Sequence, residues 1–249
     1  MIVIKSDAEI QCMRRAGKIV GDTLLMLEEV IKPGISTEEI DRIAEDFIRK
    51  QGAIPSFKGL YGFPASICSS VNEEVIHGIP SKRILNEGDI ISIDCGALID
   101  GFHGDAARTF PVGSISEAAQ KLIDVTRESF FKGIEEIKVN CHLGDVGYAI
   151  QSHVEAMGFS VVRDFVGHGI GRKLHEDPNV PNFGIRGRGL RLKSGMVLAI
   201  EPMVNEGTHH IVTLDDEWTV VTKDKKLSAH YENTVAILED RVELLTLSN

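Results

Sequence analysis

The chain has 249 residues, 43% of them hydrophobic and 26% charged, with 27 basic against 37 acidic side chains and a formal net charge of -10. That length and composition suit a globular protein with a sizeable core, and the acidic balance argues against a nucleic-acid-binding surface. No run of about 18 apolar residues offers a transmembrane helix, and the opening MIVIKSDAEI lacks the basic region and long apolar stretch of a secretory signal.

Ser6-Asp7-Ala8-Glu9 is a capping box. Ile10, Met13, Ile19, Val20, Leu24 and Leu27 follow at helical spacing, so a first helix is expected to end near Lys32, before Pro33-Gly34. A second capping box, Ser36 through Glu39, opens a helix to about Lys50, and residues 52–64 read as loop. Residues 90–99 and 103–112 read as two strands turned by Asp100-Gly101. Ser116 starts a helix to about Ile137, and Asp145 is expected to cap another to about Met157. Strand-like runs follow at 161–165, 196–204, 218–222, 234–238 and 242–245, whereas 177–195, rich in Gly, Pro and Arg, reads as irregular loop. Cys12, Cys68, Cys95 and Cys141 form no CxxC pair and read as free thiols of a reducing compartment, with Cys12, Cys95 and Cys141 as small buried hydrophobes.

The two parts of the chain echo each other. Gly88-Asp89-Ile90-Ile91-Ser92-Ile93-Asp94 and Gly195-Met196-Val197-Leu198-Ala199-Ile200-Glu201 share the pattern Gly-x-aliphatic-aliphatic-small-Ile-acid. Val75-Ile76-His77-Gly78-Ile79 matches Val166-Gly167-His168-Gly169-Ile170 in the same order. A single domain over 1–249 is expected, made of two related halves at about 6–112 and 116–247. His77 would then lie opposite His168 and Asp94 opposite Glu201 about a pseudo-twofold axis, and the two acid-ended segments would be adjacent strands with converging carboxylates.

The acids carry the chemistry. Asp94 and Glu201 close apolar runs, and Glu232 precedes one, Asn233 to Ile237. Any one alone reads first as a strand end in solvent, since a carboxylate entering a sheet interior is costly unless paired or metal-bound. Asp105 changes the weighing. The two-residue turn sets Asp94 opposite residue 107, and 105 shares a face with 107, so Asp94 and Asp105 project from the same side of neighbouring strands. Two like charges so placed repel unless a cation lies between them. His168 sits bare among Gly167, Gly169 and Gly171; taken alone it and His175 read equally as surface-loop histidines, and His77 follows a short apolar run toward a cleft. Four carboxylates and one imidazole favour a pair of divalent ions such as Mn, Fe, Co or Zn over a structural zinc. Two such ions roughly 3.5–4 Å apart hold a hydroxide and polarise a carbonyl, which is peptide-hydrolysis chemistry. His77 and His175 are left to hydrogen-bond the substrate.

These residues carry a resemblance. SSVNEEVIHGIP (69–80), GDIISIDCGALIDGFHGDAARTF (88–110), VGHGIGRKLHEDPNVPNFG (166–184), MVLAIEPMV (196–204) and HYENTVAI (230–237) resemble type I methionine aminopeptidases over nearly the whole chain. The resemblance implies the α+β pita-bread fold of creatinase, prolidase and aminopeptidase P: pseudo-twofold halves with helices packed on a curved antiparallel sheet. It implies two divalent ions held by Asp94, Asp105, His168, Glu201 and Glu232, with Asp105 and Glu232 bridging. His77 and His175 would contact substrate, Glu201 would move protons, and Phe63, Cys68, His77 and Trp218 would line the methionine pocket. The implied reaction is removal of the initiator methionine from nascent polypeptides whose second residue is small (Gly, Ala, Ser, Thr, Cys, Pro or Val), by a cytoplasmic monomer working near the ribosome and requiring no nucleic acid or membrane. Asn233 stands where many relatives have His, and Leu60 and Phe63 where some have Tyr, so the methionine pocket is expected to differ in shape. With no zinc-finger extension before Ser6, the compact bacterial-style form is expected. The competing readings are a Xaa-Pro aminopeptidase or prolidase of the same fold, and a binding protein that kept the fold without catalysis.

Overall fold

A computed structural model describes residues 2–247. The Ser6 capping box forms as expected and opens α1 (Asp7–Val30). At α2 (Thr37–Lys50) the Ser36 hydroxyl caps the Glu39 amide. The expected loop at 52–64 contains a two-residue strand β1 (Ile54–Pro55) and a 3-10 turn at 60–62. β2 (Ile67–Val71), not anticipated, and β3 (Glu74–Ile76), the short run that ends before His77, precede the hairpin β4 (Ile90–Ile99) and β5 (Phe102–Pro111). The hairpin has the expected register, with Asp94 opposite Ala107.

In the second part, α3 (Glu117–Glu135) and α4 (Leu143–Ala156) are followed by β6 (Ser160–Val161), β7 (Gly167–Gly169) and β8 (Glu176–Val180). The cap of α4 falls on His142, and Asp145 instead reaches back to accept from the His142 amide at 2.9 Å. The run at 196–204 divides at Pro202 into β9 (Val197–Ile200) and β10 (Met203–Asn205), because proline has no N–H to continue a ladder. The rest are β11 (Ile211–Thr213), β12 (Val220–Thr222), β13 (Ser228–His230), β14 (Asn233–Ile237) and β15 (Val242–Leu244).

Every ladder is antiparallel. β4 lies between β2 and β5, and β9 lies between β7 and β14. The two triplets meet where β5 approaches β14. There Thr234 Oγ1 donates to the Asp105 carbonyl and accepts from its amide, and the Glu232 amide donates to the Ala107 carbonyl. β4 and β9 are therefore not neighbours, contrary to the sequence expectation; β5 and β14 intervene. Their acids still converge, because each projects from its own triplet toward the seam.

One apolar layer packs α1 and α2 on β2, β4 and β5 through Val20, Leu24, Ile40, Ile67, Ile91 and Ile93. A second packs α3 and α4 on β9 and β14 through Phe130, Val146, Ile150, Leu198 and Val235. α1 lies directly on β5: a Cβ on Gly104 would meet the Gly17 amide at 2.8 Å. Ile91, Ile93 and Cys95 face the helices, so strand alternation turns Asp94 to the other side. Cys95 and Cys141 are buried as expected; Cys12 is only half-buried, against the apolar cluster of Ile10, Met13 and Phe102.

Candidate metal centre and substrate cavity

A cavity of about 890 Å³ opens on the side of the sheets away from these helices. Phe63, Cys68, His77, Asp94, Asp105, His168, His175, Glu201, Trp218 and Glu232 all line it, as does Leu60, whereas Asn233 does not.

Local structure delivers each group. Asp94 and Asp105 point from facing strands of the hairpin. Glu201 and Glu232 sit where strands stop, just after β9 and just before β14. His168, which the sequence left open as a loop residue, lies in β7, paired with Ala199 and Asn179. Its glycine neighbours are required by close packing: a Cβ on Gly169 would collide with the Asp177 carbonyl.

Asp105, His168 and Glu232 each offer a ligand atom within 4.8 Å of the others. His168 Nε2 is 3.8 Å from Asp105 Oδ2 and 3.7 Å from Glu201 Oε1. His168 Nδ1 lies 2.9 Å from the Gly169 carbonyl. A carbonyl only accepts, so Nδ1 carries the proton and the Nε2 lone pair faces the carboxylates. Asp105 and Glu232 are 3% and 1% exposed, yet Asp105 Oδ1, Glu232 Oε1 and Asp94 Oδ1 have no hydrogen-bond partner. Buried carboxylate oxygens left unpaired cost several kcal/mol unless a cation meets them. These residues fit a divalent ion.

The electrostatics agree. Burial, the largest cause, pushes the Asp94 carboxyl up to about 7 and holds those of Asp105, Glu201 and Glu232 well above the usual carboxylate range, with mutual repulsion adding to each of these three. Burial holds the imidazoles of His77 and His168 down at about 4 and lowers His175, with the charge of His175 a smaller contribution at the first two. A neutral imidazole is the form that ligates a metal. The raised carboxyls predict a pH dependence for the metal-stripped protein. Above about pH 7.5 the histidines are essentially neutral in both folded and unfolded states and cancel, and unfolded carboxylates are already ionised. The fold then loses its extra protons as pH rises, so stability falls. Melting of stripped protein should therefore decline from about pH 7.5 to 8.5, and saturating divalent metal should remove that slope. An equal slope with and without metal would contradict the electrostatic reading.

Around the carboxylates, the wall is aromatic. Phe63 and Trp218 meet edge to face at 5.0 Å, and His77 stands edge-on to Trp218 at 6.4 Å and to Phe165 at 5.6 Å. Trp218 belongs to the turn before β12 and not to the strand itself; Asp216 Oδ1 accepts from its amide. His77 has φ 59, a left-handed conformation rare outside glycine, which aims its ring into the cavity. Tyr61, another cavity residue with positive φ, stacks on His175 at 6.0 Å. Tyr61, Phe165 and the buried His230, whose Nε2 is 3.8 Å from Glu201 Oε2, had no local pattern to mark them.

The model of metallopeptidase family M24 matches residues 11–239. Methionine aminopeptidase of Clostridium perfringens is 66% identical over 247 residues, covering 99% of both chains. Methionine aminopeptidase 1 of Bacillus subtilis is 57% identical over 246 residues, at 99% of both. The chain belongs to the methionine aminopeptidases of metallopeptidase family M24. The crystal structure of methionine aminopeptidase from Thermotoga maritima superposes with a TM-score of 0.98 at 46% identity, covering 100% of each chain. The fold is accordingly the pita-bread fold, and the protein is an enzyme, a metal-dependent aminopeptidase. The buried cluster of carboxylates and imidazole is of the kind that binds divalent metal.

Proposed function

We propose that the enzyme removes the initiator methionine from polypeptides whose second residue is small, using two divalent ions held by Asp94, Asp105, His168, Glu201 and Glu232. The observation that carries this is the convergence of orphaned carboxylate oxygens and the His168 lone pair at the floor of an aromatic cavity. In this reading Asp105 and Glu232 would serve both ions, Asp94 one of them, and His168 with Glu201 the other; Co, Mn, Fe and Zn would all suit the set. When bound, such ions activate water and polarise the scissile carbonyl.

The chain's own groups do the rest. Phe63, Cys68 and Trp218 take the methionine side chain, a soft thioether against soft and aromatic walls. Cys68 suits this because burial and the nearby Asp94 push its thiol up, keeping it uncharged. His77 and His175 donate hydrogen bonds to the substrate and to charge developing on its carbonyl oxygen. Glu201 carries the proton from the attacking water toward the leaving amine. The mirrored order β2-β4-β5 and β14-β9-β7, each triplet backed by two helices, supports two related halves in one domain. Free thiols and a net charge of -10 suit a monomer of the reducing cytoplasm that meets nascent chains near the ribosome without needing nucleic acid.

Specificity follows from space. The methionine must fill the pocket while the carbonyl stays in attack geometry, and a displacement of about 1 Å can cost 10²-fold. A bulky second residue against His77 and His175 forces that displacement. In a Met-Xaa-Ser series, kcat/KM for Xaa = Gly, Ala or Ser should exceed that for Leu or Lys by about 10²-fold. Comparable values would defeat the reading, and equal cleavage of Leu-Ala-Ser and Met-Ala-Ser would show that the pocket at Leu60 and Phe63 does not select the thioether.

A further inference from the structure

Lys5 and Glu176 form an ion pair at 2.7 Å between residues 171 positions apart. Their side chains are 3% and 9% exposed, the most buried Lys or Arg pair among the described residues. Withdrawing two charges from water is costly, and a hydrophobic pair of the same shape would often be as stable, so stability alone does not account for it. Both residues line the substrate cavity. Glu176 directly follows His175, and its second oxygen accepts from the Lys173 amide at 3.2 Å, bracing the turn 171–176 from inside. The turn is packed on the pair: a Cβ on Gly171 would meet Glu176 Oε1 at 2.6 Å and Lys5 Cε at 2.7 Å. Lys5 is in turn fixed, its amide donating to the Gly195 carbonyl at 2.7 Å and its ammonium to Val3 at 3.2 Å. Lys5 is thus tied through its backbone to the segment leading into β9, while the His175 ring, on the cavity wall, stacks on Tyr61 and meets the edge of His168 at 4.5 Å.

We propose that Lys5 is a positioning residue for the reaction: through Glu176 it latches the turn that presents His175 to the substrate. This rests on the reading of His175 as a substrate-side donor, and the test separates the two.

Lys5→Met keeps an unbranched side chain, one heavy atom shorter, and removes its charge. On Met-Ala-Ser it should lower kcat by about 10- to 10²-fold, the scale of a misplacement of about 1 Å, with KM changed less than about threefold. Metal affinity, read by calorimetry on the stripped protein, should be unchanged. Glu176→Gln should behave alike, the double variant should be no worse than Lys5→Met, and Lys5→Arg should recover most of the rate. In a His175→Ala background, Lys5→Met should add less than about twofold, since its route is already removed. Lys5→Met with kcat within twofold of the parent overturns the latch, as do additive losses in the double variant, a full further loss in the His175→Ala background, or metal affinity lost with the rate. Normal turnover by His175→Ala itself would instead remove the donor reading on which the latch depends. Should Lys5→Met fail to fold, Glu176→Gln, isosteric and neutral, carries the same comparisons.

Discussion

Asp105→Ala and Glu232→Ala are each expected to abolish turnover and to lose one of two bound ions. A group that merely orients a metal ligand costs 10- to 100-fold in affinity or activity when removed. A carboxylate lying between two ions costs more, and a loss of at least about 10³-fold is expected, since both positions depend on it. Asp105 is 3% exposed with one carboxylate oxygen unpartnered, and its side chain faces the cluster of Asp94 and His168 rather than the seam. Its amide and carbonyl are tied to Thr234, and that seam survives truncation of the side chain. Removing a charge from the cluster also relieves the repulsion that holds these carboxyls high. The stripped Asp105→Ala protein should therefore melt no lower than the stripped parent at about pH 8, while its stabilisation by added metal shrinks. Metal analysis and calorimetry read both. Two tightly held ions with normal turnover in Asp105→Ala would mean that the cluster is assigned wrongly.

His175→Ala and His168→Ala should fail in different ways. Loss of one donor to a developing oxyanion costs on the order of 10²–10³ in turnover, or about 3–4 kcal/mol. His175→Ala should then bind metal as the parent does and turn over that much more slowly. His168 presents its Nε2 lone pair to Asp105 and Glu201, with its proton committed to the Gly169 carbonyl, so His168→Ala should weaken metal binding itself. The comparison is kcat against metal affinity for both variants. Equal loss of metal in the two would erase the division between ligand and donor.

Much of this site was legible before any coordinates because short-range rules determined it. Asp100-Gly101 set the hairpin register, the register put Asp94 opposite Ala107, and alternation brought Asp105 to the same face. The helix starts followed from capping chemistry at Ser6, Ser36 and Ser116. What could not be read depended on partners distant in sequence. β8 lies in a Gly- and Pro-bearing stretch with no alternation and exists because β7 pairs with it. His168 looked like a loop residue because its flanking glycines answer to neighbouring backbone, which only the fold supplies. The repeat singled out two acids that both line the cavity, yet the seam between β5 and β14 separates the strands that carry them. Lys5, Tyr61 and Phe165 reach the cavity, and His230 reaches Glu201 behind it, through tertiary packing alone.

The most direct measurement is turnover of Met-Ala-Ser by protein stripped of metal and reloaded anaerobically, one equivalent of divalent ion at a time. The stripped enzyme should be inactive, activity should return and saturate by two equivalents, and Glu232→Ala should stay inactive throughout the same titration. Full turnover by the stripped protein, or recovery by Glu232→Ala to the level of the parent, would contradict a metal-dependent aminopeptidase built on these five residues.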